Sequence, residues 1–83
     1  MAFAGTDVNV DGTISVQTLA TIEGKASEPA IAIDFLRTRL SDAGLMQLAK
    51  FKNIRRIDAV GSAITEAGID KLKQAIPEIE VAH

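Results

Sequence analysis

Apolar residues recur along this chain in two rhythms. In the stretches at 30–35 (AIAIDF) and 55–59 (RRIDA) they partly alternate with polar residues and include β-branched types, which predicts short strands over 31–35 and 55–59. Between and after these the period changes. Leu45 and Leu48 lie three apart, as do Ile69 and Leu72, so each pair forms one apolar stripe on a helix. Helices are predicted over 42–50 and 66–75. Ser41 and Thr65 are suitable N-caps, and Asp42 and Glu66 then fall in the first turn, where the helix dipole favours an acid. Gly44 and Gly68 cost helix propensity, so they read as places where helix backbone lies close to the sheet. Pro77 stops the second helix. The segment 78–82 (EIEVA) predicts a last strand over 79–82, with Ile79 and Val81 inward but one residue out of step. The predicted core is Leu45, Leu48, Ile57, Ile69 and Leu72.

The same text is written twice. Residues 41–51 (SDAGLMQLAKF) and 65–75 (TEAGIDKLKQA) stand 24 apart and share a small polar residue, an acid, Ala-Gly and an aliphatic with another three on. The strand segments keep that step. Ile54, Ile57, Ala59, Ser62 and Ile64 fill an L-x-x-L-x-L-x-x-N/T-x-L template, and 24 residues earlier Ala30, Ile33, Phe35, Thr38 and Leu40 fill it again. Over 30–81 the chain resembles the leucine-rich-repeat family, in the bacterial subtype whose repeats read T-D-A-G-L. The resemblance implies an α/β fold: a short solenoid with a parallel β-sheet, helices on one side and an N-terminal cap. Residues 1–29 then form the cap and 30–83 the repeats, about two and a half units, where at least three are usual. Parallel neighbours would stack Ile33 on Ile57 and Phe35 on Ala59.

The first third departs from the template. Residues 15–24 (SVQTLATIEG) predict a helix over 15–23 with Ser15 as cap, Val16, Leu19, Ala20 and Ile22 inward, and Gly24 as stop. A short strand and a tight turn at Glu28-Pro29 would lead into the first repeat. Gly5-Thr6-Asp7-Val8 parallels Gly61-Ser62-Ala63-Ile64, as the tail of an earlier repeat would.

Asp7, Asn9, Asp11 and Gly12 also fit D-x-[DN]-x-[DN]-G, and the stretch resembles the opening of an EF-hand or dockerin loop. Alternate oxygens at such spacing converge on one calcium ion while the glycine permits the sharp turn. The resemblance implies Asp7, Asn9 and Asp11 as ligands, with the Thr13 carbonyl and Ser15 completing the set. Thr18 stands where the bidentate carboxylate belongs. The plainer reading is a turn at Asp11-Gly12 leading into a helix capped by Ser15.

Outward positions of the predicted sheet put Ala32 beside Arg56 and Glu80, Asp34 beside Asp58, and Leu36 beside Val60, with Arg37 at the rim. Repeat scaffolds bind through such concave faces. Asp34, Leu36, Arg37, Arg56, Asp58, Val60 and Glu80 are therefore the candidate binding face, suited to a basic or amphipathic protein partner. The plainer reading is a solvated face on which Arg56 relieves the repulsion of the two acids. As a catalytic pair Asp34 and Asp58 lack a cleft that excludes water. His83 is the only histidine and stands last in the chain, and cysteine is absent, so the expectation is not an enzyme. Lys50, Lys52, Arg55 and Arg56 read as a solvated corner pointing to different sides.

Composition narrows the rest. The chain has 83 residues and a net charge of −2, without a basic stripe for nucleic acid or an apolar run for a membrane. The first residues lack the pattern of a secretory signal, which gives a cytoplasmic protein as the expectation. No cofactor is expected apart from the calcium alternative. A thin core and open sheet edges, above all at the last strand, predict a homodimer. The function expected is a non-enzymatic interaction module. A calcium-stabilised domain and a self-assembling structural unit are the rivals.

Overall fold

Among the described residues, four parallel strands follow one another across a single sheet in chain order, β1-β2-β3-β4. The structure is a computed structural model that describes residues 2–3 and 7–83. The elements are β1 (Ala2–Phe3), α1 (Val16–Glu23), β2 (Ile31–Asp34), α2 (Asp42–Met46), β3 (Ile54–Asp58), α3 (Glu66–Ala75) and β4 (Glu80–Ala82). The expected likeness of 5–8 to 61–64 lies partly outside the described residues.

The strands align as their apolar pattern demands. Ile33 pairs with Ile57 and Asp34 with Asp58, while Arg56 lies between Ala32 and Glu80. Ile31, Ile33, Phe35, Ile54, Ile57 and Ala59 are buried in one cluster with Leu45, Leu48, Ile69 and Leu72 from α2 and α3. Period-two alternation therefore sends one face of the sheet to the helices and the other to solvent.

Several expectations need correction. Ala30 is exposed, and Ile31 takes the inward slot opposite Ile54. A bulge explains this. The β2–β3 register shifts between Ile31 and Ala32, so β3 carries one extra residue, whereas β3 and β4 pair without a shift. The misstep seen in sequence at Ile79 thus originates in β3, where Arg55 and Arg56 stand in succession between Ile54 and Ile57.

The helix expected over 42–50 ends at Met46. From there the backbone tightens. Leu48 N–H donates to Leu45 O, Phe51 N–H to Leu48 O, and Ile54 N–H to Phe51 O, at 3.0–3.2 Å. Three-residue turns place every third side chain on one side, and Leu45, Leu48, Phe51 and Ile54 are all buried. The apolar spacing of three that looked helical is the spacing of this tighter coil.

In α1 Ser15 caps as expected, its hydroxyl accepting from Thr18 N–H, but only Ile22 is buried. Leu19 is half-buried, Ala20 exposed and Val16 81% exposed, so the helix touches the core at its C-terminal end. Residues 25–28 are turns rather than a strand, with Lys25 N–H donating to Ile22 O and Glu28 N–H to Lys25 O. The first repeat strand is not left open, because β1 pairs with β2 through Ala2–Ala32 and Phe3–Ile33. Nor is the last layer short of core: Ile69, Ile76 and Ile79 are all buried.

Candidate functional site

The outward face of the sheet collects the predicted binding residues. Each aspartate there ends a strand and caps the turn that follows it. Asp34 Oδ1 accepts from Leu36 N–H at 2.8 Å and Asp58 Oδ1 from Val60 N–H at 3.4 Å. This is what a short acidic side chain does at the start of a turn. The consequence is a rim. Leu36 and Val60 are each 45% exposed at corresponding positions, and the adjoining turns are joined by Arg37 N–H donating to Val60 O at 2.8 Å.

Arg37 sits in the left-handed region at φ 55°, and Gly61, its counterpart 24 residues on, at φ 78°. The turn demands that conformation in both layers. Glycine adopts it freely, and a residue with a Cβ does so at a cost of about 1–2 kcal/mol. A Cβ added at Gly61 would lie 3.3 Å from Arg37 Cγ, so the second glycine also leaves room for the arginine stem.

Arg56 does not serve the aspartates. Its guanidinium pairs with Glu80 at 3.2 Å, across to the next strand. The seven candidate residues therefore lie on one surface, Asp34, Arg56, Asp58 and Glu80 as neighbours in the strand ladder, and Leu36, Arg37 and Val60 at its end.

The calcium-type loop closes as a hairpin. Val8 bridges Ile14 in antiparallel fashion, and Asn9 N–H donates to Thr13 O at 2.7 Å. Gly12, at φ 87°, makes the turn. The expected ligand atoms have local bonds: Asp11 Oδ1 accepts from Thr13 N–H and Oγ1–H, the Asn9 amide donates to Thr13 Oγ1, and Ser15 Oγ serves α1. The Thr13 hydrogen bonds hold the Asp11 carboxyl below the usual carboxylate range. Asp7 contributes its backbone, N–H to Thr18 Oγ1 and C=O to Ser15 N–H. The Thr13 carbonyl and Asp11 Oδ1 are thus both engaged in bonds within the hairpin. Among the described residues no group of three or more His, Cys, Asp or Glu side chains stands close enough to hold a metal.

What the hairpin does hold is α2. The Gly12 carbonyl accepts from Ser41 N–H at 3.0 Å and Ser41 Oγ–H at 3.1 Å, and Gln47 Oε1 accepts from Ile14 N–H at 2.6 Å. A Cβ on Gly44 would run into that same carbonyl. One layer on, a Cβ on Gly68 would run into the carboxylate of Asp42. The helix glycines thus admit the preceding layer, not the sheet.

At the other end of the strands, Lys52 and Arg55 line two shallow depressions of about 140 and 410 Å³, the larger shared with Lys50, whereas Arg56 turns to the outward face as the corner reading expects. Their charges are committed to the fold. Lys52 Nζ donates to the Ala75 carbonyl at 2.9 Å, in the last turn of α3, and Arg55 pairs with Glu78 at 3.2 Å. Asn53, which the sequence did not single out, ties the α1–β2 connection by donating to the carbonyls of Lys25 and Glu28.

Comparison with family models, with curated proteins and with solved structures finds no match. The structure itself defines a small α/β protein with a parallel sheet. No helix among the described residues is long and apolar enough to cross a membrane.

Proposed function

We propose that the chain is a small leucine-rich-repeat-type scaffold and that it works as a non-enzymatic interaction module, docking a protein segment on its outward sheet face. The observation that carries the reading is the placement of Leu36 and Val60. Two aliphatic side chains stay half-exposed side by side because the aspartates before them fix their backbone. A rigid apolar rim beside the Asp58 carboxylate suits a segment with an aliphatic or aromatic anchor and a nearby cation. The strand step of 24 from Ala32–Asp34 to Arg56–Asp58 to Glu80–Ala82 supports the repeat reading. A non-enzymatic role is supported by the capping work of Asp34 and Asp58 on an open face.

Selection of displayed random peptides on the folded protein tests this. Enriched peptides should combine a basic residue with an apolar anchor, and should lose binding to a Val60→Asp/Asp58→Lys variant whose circular dichroism is unchanged. Enriched peptides that bind the variant equally well would place the surface elsewhere.

A further inference from the structure

Among the described residues β4 pairs with β3 alone, and its outer edge is built differently from the sheet face. Ala59 N–H donates to Ala82 O at 2.7 Å. Along a parallel ladder the residues that turn their backbone groups to one neighbour alternate with those that turn them away. Ala82 and Glu80 therefore face β3, and the N–H and C=O of Val81 project from the open edge. A single outward pair of this kind is self-complementary. Two antiparallel copies of it exchange both hydrogen bonds at a two-fold axis.

The helix beside that edge has a matching order of charge. The flank of α3 turned to α2 is marked by Gly68, against Asp42, and by Lys71, whose charge acts on Asp42. With a helical step of about 100° per residue, Glu66, Asp70 and Lys73 fall on the opposite flank, at the β4 end. All three are exposed. An antiparallel copy of α3 brings Glu66 of each chain opposite Lys73 of the other, and sets Asp70 nearest the axis.

We propose that this edge is the interface with a second copy of the chain, a two-fold dimer centred on Val81 with paired Glu66–Lys73 contacts. The interface is polar and small: no apolar residue of the last layer is among the large exposed ones. The dimer is accordingly weak, formed in the micromolar range, and it leaves the outward sheet face open.

Sedimentation velocity over a concentration series up to ~100 μM, a range that populates a micromolar dimer, decides it. The unaltered chain should dimerise. Val81→Pro removes the outward N–H without touching the bonds to β3 and should give a monomer with unchanged circular dichroism. Lys73→Glu should weaken the dimer by about tenfold, because each change acts twice across a two-fold. The exchange Glu66→Lys/Lys73→Glu should restore it, and Asp70→Asn should tighten it. A monomer at the highest concentration would overturn the proposal. So would a dimer indifferent to Val81→Pro or to the charge changes. Loss of dimer with retained peptide binding separates this interface from the docking face.

Discussion

The carboxylate of Asp42 binds Thr65 twice, accepting from its N–H at 2.7 Å and from its hydroxyl at 2.5 Å. Asp42 opens α2, and Thr65 is the N-cap of α3. One side chain therefore starts its own helix and locates the next. Asp42→Ala should lower the unfolding free energy by about 0.5–1.5 kcal/mol, the net range for a hydrogen bond whose released donors can turn to water. Urea titration checks it. An unchanged midpoint would mean that the two layers are indexed by other contacts.

That bond also sets a pH dependence. The hydrogen bonds from Thr65, with a smaller contribution from Lys71, hold the Asp42 carboxyl below its ordinary range. A depressed folded pKa contributes stability that is complete above the unfolded value of about 3.9 and is lost as pH falls through the folded one. Asp11 is shifted the same way by Thr13. Denaturant midpoints measured from pH 6 down to 2 should fall on the acid side, and Asp42→Asn should flatten that fall.

Gly44→Ala is the sharpest test of close approach. In an open helix the change gains about 1 kcal/mol. Here the new methyl meets the Gly12 carbonyl and the Leu40 side chain, and overpacking of this kind costs about 1–3 kcal/mol. The substitution should destabilise, with the thermal midpoint moving down. An upward shift would show that the hairpin yields.

Leu48 lies in the tight coil after α2 and is fully buried. Leu48→Ala should cost about 2–5 kcal/mol. Equilibrium unfolding reads it directly, and a loss below about 0.5 kcal/mol, as at surface positions, would contradict the burial.

Isothermal titration of the chain with calcium should show no micromolar binding. The Thr13 carbonyl is taken by Asn9 N–H and the Asp11 carboxylate by Thr13. A micromolar titration would show that the hairpin opens to release those groups.

The pattern of apolar residues was enough to locate α3, the alignment of Ile33 with Ile57, and the ring of outward residues. The helix and the outward residues follow from periodicity, which is a local property, and the alignment follows from the 24-residue repeat. The bulge in β3 was visible only as a misstep at Ile79, because a sequence shows that two strands disagree and not which one holds the extra residue. The tight coil after α2 was hidden for a related reason: apolar residues three apart fit an α-helix for one turn and fit three-residue turns for longer. Asn53 and Gln47 gave no signal, since a polar residue that ties two loops looks like any exposed amide. The site was legible as a surface and illegible as chemistry. Its aspartates cap the turns at Leu36 and Val60, which depends on side-chain geometry and not on residue order.

Strand order has a mechanical consequence. Because β1 through β4 lie in the sheet in chain order, β1 and β4 occupy opposite edges, and tension applied through them acts across the strands. Such a load peels one strand at a time and breaks hydrogen bonds singly, instead of shearing a row of them together. The molecule should therefore yield at low force in a pulling experiment, outermost strands first, with β3 and its neighbour β2 parting last.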